Sequence, residues 1–454
     1  MNIYDFITDE EQYKLKCQAC IGNDRFENVL IIYKELFFQE LNKCSLNVLP
    51  VHLNQTLLQN QSVINWIICF NNTIQQEILL LKDLFEEVIY GYKLFLQGKH
   101  YYASLFYQDL LDKYNLLIDE DFDKLGVFYR GFWNSANRDS KDKMQYFHIP
   151  YNFRHLVGNQ RFSFSGIPLI YLGSSIADVF YELGETNLDS KKIAIASFAF
   201  NPISSITIHQ DKQFVQTKTR IFNITNEIYN LINRYFEPLI QGGGNIPDCN
   251  DLFFSPNSND LKIFFRKFLI SQICTFQKRY NSDKFIEEYV IPQLFTEALY
   301  RHKYDGIIFP STRFYNQVIS INNPPYNLGY KENLVMFTTY SQSNKYDEML
   351  FSNFKINIKT LVGQRNNMQK TLINQISQDS KKNICEIFKK VNDSKRKRII
   401  EGMIEATSRL MQYQNLTING INYLDTRAGK LELIYMRDYM KYLSECIPYL
   451  NNIS

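Results

Sequence analysis

The sequence predicts an α+β fold in which a β-sheet core is flanked by helical regions. Short runs rich in β-branched and aromatic residues cluster between about residues 125 and 345, and the segments on either side carry apolar residues at helical spacing. A chain of 454 residues is also too long for one ordinary hydrophobic core. We therefore expect a helical N-terminal domain at 1–124, a central domain at 125–345 with a helical insertion at about 210–300, and a helical C-terminal region at 346–454.

The N-terminal domain is predicted from two amphipathic runs. The first lies within residues 75–97, where five apolar residues recur at helical spacing, namely Leu81, Leu84, Phe85, Val88 and Ile89. Gly98 interrupts this pattern, and the second run covers residues 101–114. The stretch 119–123 is acidic and predicts a polar linker to the central domain.

The central domain contains five runs that are predicted as strands because they combine β-branched and aromatic residues. They cover residues 127–132, 169–172, 193–200, 306–309 and 334–337. A short helix is expected at 174–183, with Ser174 at its start. The insertion should end in a helix at 285–300, just before the strand at 306–309.

The C-terminal region is predicted as helical because strand signals disappear after about residue 345. One apolar stripe alternates spacings of three and four, namely Leu433, Met436, Met440, Leu443 and Ile447. A face that packs into the core is the ordinary interpretation of such a stripe. A self-association surface, which would make the protein a homo-oligomer, is the alternative.

Composition excludes several classes of protein. The net charge of +3 creates no global field that would favour nucleic acid or a membrane surface. The acidic N-terminus has no basic and apolar regions of a signal peptide, and no apolar run approaches the roughly 20 residues of a membrane span. Eight cysteines without a framework spacing are typical of a reduced protein, so we expect a cytoplasmic location.

Three local sequence motifs give only weak evidence for a binding site. Cys17 and Cys20 form a CxxC pair that Cys44 and His52 could complete as a zinc site, but ordinary core or surface cysteines explain the pair as well. The glycines at 242–244 lack the Gly-Lys-Ser/Thr continuation of a phosphate-binding loop. The basic cluster 395–398 is typical of a solvated helix face, with nucleic-acid contact as the alternative.

Four residues form an ordered pattern in the central domain. Tyr171 lies ten residues after Arg161, and Glu182 eleven residues after Tyr171, within the stretch 159–182. Ser311 follows in Asp305-Gly-Ile-Ile-Phe-Pro-Ser311 and precedes a strand that begins with Asn333-Leu-Val. Each residue alone has an ordinary explanation, such as a surface arginine or a turn serine. The joint order and spacing carry the functional prediction.

This pattern resembles the RES family, which is named for its Arg, Glu and Ser. The resemblance covers about residues 125–340, less than half of the chain, and includes the Tyr-Arg pair of Phe128-Tyr-Arg-Gly131. The chain departs from the family at Ser163, where the family often has Asn. RES domains resemble ADP-ribosyltransferases and consume NAD+. The resemblance therefore implies an ADP-ribosyltransferase-like β core with NAD+ as a substrate, and no bound cofactor or metal.

The resemblance assigns a role to each residue of the pattern. Cleavage of the nicotinamide–ribose bond passes through a transition state that resembles an oxocarbenium ion. Arg161 would bind the diphosphate as a bidentate donor, and Tyr171 would stack on the nicotinamide ring. Glu182 would stabilise the developing cation, and Ser311 would face the ligand. Two further candidates for phosphate or ribose binding are Arg130 and Arg313.

The implied function is that of an NAD+-degrading enzyme, acting as a toxin or as an effector of anti-phage defence. The acceptor of the ADP-ribosyl group is left open between water, inorganic phosphate and a protein side chain. A protein ADP-ribosyltransferase and a non-catalytic nucleotide sensor are the alternatives. An inhibitory antitoxin or an activating partner is expected to restrain such an activity. No membrane partner is expected.

Overall fold

The computed structural model describes residues 2–8, 11–44, 61–117, 126–135, 138–201, 206–208, 214–216, 219–225, 259–280, 284–313, 319–321, 332–359 and 416–446, with isolated positions between 402 and 413. The predicted linker at 119–123, the glycine run at 242–244, the basic cluster at 395–398 and His52 lie outside these residues. Among the described residues, no helix combines the length and apolar character that a membrane crossing requires.

The helices lie mainly in the N-terminal part and in the insertion. They are α1 Ile3–Thr8, α2 Glu11–Cys20, α3 Phe26–Lys43, α4 Gln61–Leu96, α5 His100–Lys113, α6 Ile176–Glu182, α7 Asn259–Cys274, α8 Glu287–Arg301, α9 Glu348–Ser352 and α10 Arg427–Cys446. The five apolar residues that predicted α4 are all buried. Gly98 has a φ of +77° and ends α4, because glycine adopts this left-handed conformation without a steric penalty.

A seven-stranded mixed sheet forms the centre of the fold. The strands of the described residues are β1 Val127–Trp133, β2 Ile170–Gly173, β3 Ile193–Phe200, β4 Ile206–Ile208, β5 Phe214–Gln216, β6 Ile221–Asn223, β7 Gly306–Pro310, β8 Ile319–Ile321, β9 Glu332–Met336, β10 Phe354–Ile358, β11 Leu416–Ile418 and β12 Ile421–Asn422. The order in the large sheet is β10-β3-β1-β2-β9-β7-β6, and neighbours are antiparallel except β6 and β7, which run parallel. Shorter strands form a three-stranded sheet, β12-β11-β8, and a β4–β5 pair.

The large sheet separates two hydrophobic cores. Side chains alternate between the faces of a strand, so Ile307 and Phe309 of β7 join one core and Ile308 joins the other. The first core contains α1–α5 together with α7 and α8, and the second contains α6 and α10. The predicted α+β class with helical flanks is therefore confirmed.

The boundary predicted at residue 345 requires correction. β10 pairs with β3 over five residues, from Phe354 opposite Phe200 to Ile358 opposite Ala196, so this segment is an edge of the central sheet. Helix α10 packs on the same sheet, where the Tyr435 hydroxyl donates to the carbonyl of Ile195 at 2.8 Å. The chain after residue 345 thus completes the central domain.

The apolar stripe of α10 lies in the second core. Leu433, Met436 and Leu443 are buried with exposed fractions of 5%, 1% and 0%, and Met440 is partly buried against the same cluster. Ile447 lies outside the described residues. The core interpretation of this stripe is therefore correct, and its interpretation as a self-association surface was wrong.

Candidate active site

Helix α6 carries the predicted glutamate, and two hydrogen bonds fix its first turn. The Ser175 side chain accepts a hydrogen bond from the Asp178 N–H at 3.0 Å, which caps the first turn. The buried carboxylate of Glu432 on α10 accepts a second bond from the Ile176 N–H at 2.9 Å. Tyr413 and Tyr423 donate their hydroxyls to the same carboxylate. Residues of the C-terminal part thus set the position of the helix that ends at Glu182.

The Glu182 carboxylate is held by three side chains. Its Oε1 accepts from the Ser311 hydroxyl at 2.9 Å and from the Asn333 amide at 3.0 Å. Its Oε2 lies 3.5 Å from the Arg313 Nε, and the Glu182 side chain remains 35% exposed. One oxygen is therefore anchored by two neutral donors, and the carboxylate keeps an accessible side.

Sheet geometry explains why these donors converge. Ser311 directly follows β7, and Asn333 lies opposite Phe309 in the antiparallel β7–β9 pair. Both residues therefore stand at the same end of the sheet, next to Gly173 at the end of β2. The backbone N–H of Ser174 donates to the carbonyl of Glu332 at 2.8 Å and holds the start of the β2–α6 turn against β9.

Arg161 lies in a tight turn and its guanidinium points into the protein. Its Nη1 donates to the carbonyls of Cys274 and Phe276 at 2.9 and 2.8 Å, and its Nη2 lies 3.3 Å from the Thr312 hydroxyl. The side chain also stacks over the Tyr289 ring at 4.9 Å. Arg161 thus binds the segment next to Ser311. Its Nη1 donates to two backbone carbonyls, whereas the sequence predicted a diphosphate as the partner of this guanidinium.

The N-terminal helices support the loop that Arg161 binds. Phe276 packs edge-on against Phe26 and Tyr33 of α3, with ring centroids 5.3 and 5.2 Å apart. Lys16 of α2 donates its ammonium group to the Thr275 hydroxyl at 2.8 Å. Burial and the nearby charge of Arg161 lower the pKa of Lys16 to about 7. The N-terminal domain therefore contacts the residues that surround Arg161.

Tyr171 is linked to the Arg161 turn through its hydroxyl. The hydroxyl accepts from the Phe162 N–H at 3.2 Å and lies 3.3 Å from the Ser163 Oγ. Ser163, the residue at which the chain departs from the resembled family, is therefore a direct partner of Tyr171. Burial raises the pKa of Tyr171, which keeps its hydroxyl protonated. A stacking role for Tyr171 would therefore fall to its ring, which is partly buried against the first core.

Arg130 on β1 has an unused donor. Its Nη1 is buried and has no hydrogen-bond partner among the described residues. Burial and the nearby charge of Arg138 lower the pKa of Arg130 to about 10, which leaves it cationic at neutral pH. An anion bound here would satisfy the free N–H group and offset the desolvation of the charge.

Five of the six predicted residues thus fall into two groups, and the sixth is Arg130 on β1. Glu182, Ser311 and Arg313 are in direct contact, whereas Arg161 and Tyr171 meet at the 160–163 turn. The groups are joined where Thr312 contacts Arg161.

Sequence analysis missed two members of the glutamate site. Asn333 was visible as the first residue of the Asn-Leu-Val strand. Asp178 stands four residues before Glu182, which is the spacing that places two side chains on one helix face.

The zinc site that was the weaker alternative for Cys17 and Cys20 is not assembled among the described residues, and its fourth candidate ligand, His52, lies outside them. No group of three or more His, Cys, Asp or Glu side chains in the described part of the chain could hold a metal ion. Cys17 is exposed, Cys20 is half-buried, and the buried Cys44 thiol donates to the Glu40 carbonyl at 3.4 Å.

Comparison with known proteins gives one distant similarity. A protein of Bacillus subtilis (strain 168) named "Putative toxin YopC" is 25% identical to this chain over 195 residues, which are 42% of this chain and 38% of that protein. No family model matches the chain, and no solved structure matches it. The chain is therefore distantly similar to part of a protein named as a toxin, and the resemblance to the RES family stays a prediction.

Proposed function

We propose that this protein cleaves the nicotinamide–ribose bond of NAD+ and acts as a toxin that depletes NAD+. The observation that carries the proposal is the Glu182 carboxylate, which Ser311 and Asn333 anchor and which remains partly exposed at the end of the sheet. A fixed negative charge of this kind stabilises a cation that develops only in the transition state. The similarity to a protein named as a toxin supports the cellular role.

The chemistry needs few protein groups. When the C1′–N bond of NAD+ breaks, its electron pair stays on the nicotinamide ring, which leaves as a neutral molecule and needs no general acid. The ribose becomes an oxocarbenium ion beside the Glu182 carboxylate. Water then forms the new C1′–O bond and loses one proton to Glu182 or to solvent. With inorganic phosphate as the acceptor, a phosphate oxygen forms this bond instead.

Arg130 is the group that best fits the diphosphate of the substrate. Its buried Nη1 has no hydrogen-bond partner among the described residues, whereas the Nη1 of Arg161 already donates to two carbonyls. Arg161 would then act mainly by holding the Ser311–Thr312 segment. Arg130→Ala should raise KM for NAD+ more than it lowers kcat, because a diphosphate contact contributes to substrate and transition state alike.

The test is release of nicotinamide from NAD+ by the purified full chain. Glu182→Gln keeps the size of the side chain and removes its charge, so we expect kcat to fall about 100-fold or more with little change in KM. Glu185→Gln is the matched control, because Glu185 lies three residues further along and its carboxylate accepts from the Asn187 N–H at 3.0 Å, away from Ser311 and Asn333. Equal activity of wild type and Glu182→Gln would refute the assignment.

Two further measurements define the reaction. Separation of the products from labelled NAD+ distinguishes free ADP-ribose, ADP-ribose phosphate and labelled protein, and the last outcome would make the protein a protein ADP-ribosyltransferase. Turnover should persist in a chelator, and loss of activity that zinc restores would contradict the proposed metal-free mechanism. Expression in a bacterium should slow growth and lower NAD+, and the Glu182→Gln variant should do neither.

A further inference from the structure

Gln277, in the connection between α7 and α8, contacts the segment that bears Ser311. Its Nε2 donates to the carbonyl of Thr312 at 2.8 Å. A carbonyl oxygen only accepts, so the amide nitrogen must face Thr312 and the amide oxygen must point elsewhere. This oxygen accepts from the Tyr13 hydroxyl of α2 at 3.4 Å. Gln277 therefore joins an N-terminal helix to the residue that follows Ser311.

Thr312 is held from two sides. Its carbonyl accepts from the amide just described, and its hydroxyl accepts from the Arg161 Nη2 at 3.3 Å. Thr312 is buried, and its two chain neighbours both contact Glu182, Ser311 at 2.9 Å and Arg313 at 3.5 Å. Since the two bonds to Thr312 limit rotation of the backbone between these neighbours, they fix where both side chains meet the carboxylate.

The backbone that carries Gln277 is fixed in the first core. The buried Phe276 packs edge-on against two aromatic rings of α3. The Thr275 hydroxyl donates to the Ser271 carbonyl at 2.6 Å and accepts from Lys16 of α2 at 2.8 Å. A side chain that projects from such a packed support constrains its partner instead of moving with it.

We propose that Gln277 is a positioning residue of the candidate active site. It holds the segment 311–313 against Glu182 and makes the geometry of this segment depend on α2. The chemistry assigns no step to Gln277, which acts through Thr312. Its effect on rate rests on the proposed NAD+ cleavage, whereas its hold on the segment does not.

Gln277→Leu removes both hydrogen bonds of the amide at similar side-chain volume. The kcat for nicotinamide release by the full chain should fall about tenfold with KM little changed, because the amide orients groups that act in the transition state. Gln18→Leu is the matched control, since Gln18 is an exposed glutamine of α2. Circular dichroism establishes that both variants fold. Equal kcat of the two folded variants overturns the proposal.

Gln277→Glu gives a readout that a purely structural role would not change. An ionised carboxylate only accepts and cannot bond the Thr312 carbonyl, whereas a protonated carboxyl group donates as the amide does. The kcat of Gln277→Glu relative to wild type should therefore rise as pH falls from about 8 to about 5. Division by the wild-type rate removes the titration of Glu182 itself. A ratio that does not change with pH contradicts the proposal.

The link to α2 is tested by a double-mutant cycle. Tyr13→Phe removes one hydroxyl and should lower kcat less than Gln277→Leu does. The double variant should lower kcat no further than Gln277→Leu alone, because the hydroxyl acts on the site through the amide. Tyr102→Phe, at an exposed tyrosine, should leave kcat unchanged. Additive losses in the double variant would contradict the link.

Hydrogen exchange of the full chain tests the hold on the segment without turnover. Peptides that cover residues 309–313 should exchange faster in Gln277→Leu than in wild type, and peptides of β3 should exchange equally. Unchanged exchange at 309–313 overturns the proposal even if the protein cleaves NAD+. If exchange rises there while wild type releases no nicotinamide, the hold on the segment stands and the proposed function fails.

Discussion

Replacement of Lys16 by methionine should stabilise the protein in a strongly pH-dependent way. Lys16 is buried with 5% exposure, and its ammonium group has Thr275 as a hydrogen-bond partner and the Phe276 ring at 5.4 Å. Methionine has a similar length and carries no charge, so its burial has no cost of charge desolvation. The Thr275 hydroxyl keeps its bond to the Ser271 carbonyl at 2.6 Å, so the change leaves no donor unsatisfied.

The magnitude follows from the pKa of Lys16, which falls from 10.5 to about 7. At about 1.4 kcal/mol for each pH unit, burial of the charged lysine costs about 5 kcal/mol. Between pH 7 and 10.5 the unfolded chain binds one more proton than the folded protein, so the stability of wild type rises with pH in this range. The cost of the buried charge is therefore complete below about pH 7 and has disappeared above about pH 10.5. Lys16→Met should therefore gain about 5 kcal/mol at pH 6 and about 2 kcal/mol at pH 9.

Urea unfolding of the full chain at pH 6 and pH 9 measures this difference. The midpoint of Lys16→Met should exceed that of wild type by a larger interval at pH 6. Lys14→Met changes an exposed lysine of the same helix and should shift the midpoint little and equally at both pH values. An equal gain at pH 6 and pH 9, or a loss at pH 6, would refute the argument that a charged lysine is buried there.

Three further predictions concern packing and buried charge. Glu432→Gln should lower the free energy of unfolding by about 1–3 kcal/mol and reduce turnover, because a neutral amide is a poorer acceptor for the Ile176 N–H and the two tyrosine hydroxyls. Thermal unfolding measures the first effect, and nicotinamide release measures the second. Leu443→Glu should produce unfolded or aggregated protein, since Leu443 is 0% exposed, and a folded monomer or dimer in size-exclusion chromatography would contradict this. Glu77→Ala should lower the free energy of unfolding in urea by about 3–5 kcal/mol. The buried Arg266, whose guanidinium lies 2.7 Å from the Glu77 carboxylate in wild type, would lose this partner.

The contact between Glu182 and Ser311 illustrates what sequence can predict. The strand before Ser311 and the helix that ends at Glu182 are both local patterns, and each was assigned to the correct element. Antiparallel pairing of β7, β9 and β2 then brings the ends of these elements together. The resemblance to a known motif indicated that they belong to one site, which local patterns alone do not show.

Arg161 illustrates what sequence could not predict. Its acceptors are the carbonyls of Cys274 and Phe276, more than a hundred residues away, and a backbone carbonyl carries no residue-specific signal. The strand β10 was overlooked for a different reason. Phe354-Lys-Ile-Asn-Ile358 alternates apolar and polar residues, but five residues beside helical patterns are a weak strand signal. The amphipathic stripe of α10 similarly indicates a face that is covered, without indicating what covers it.

The contact between Glu432 and the first turn of α6 has a consequence for synthesis of the protein. The two residues that form it are 256 positions apart, so the ribosome makes the helix that bears Glu182 long before it makes the carboxylate that caps this helix. At about 5–20 residues per second, roughly 10–50 seconds separate the two events. During this interval the nascent chain keeps the Ser175 cap but lacks the bond from the Ile176 N–H to Glu432 and the part of the second core that α10 supplies. A chain that stalls before α10 emerges would therefore carry every residue of the predicted motif in an incompletely supported site. The proposed NAD+ cleavage would begin only after the C-terminal helix has docked, which would leave the translating cell a window for a restraining partner to bind.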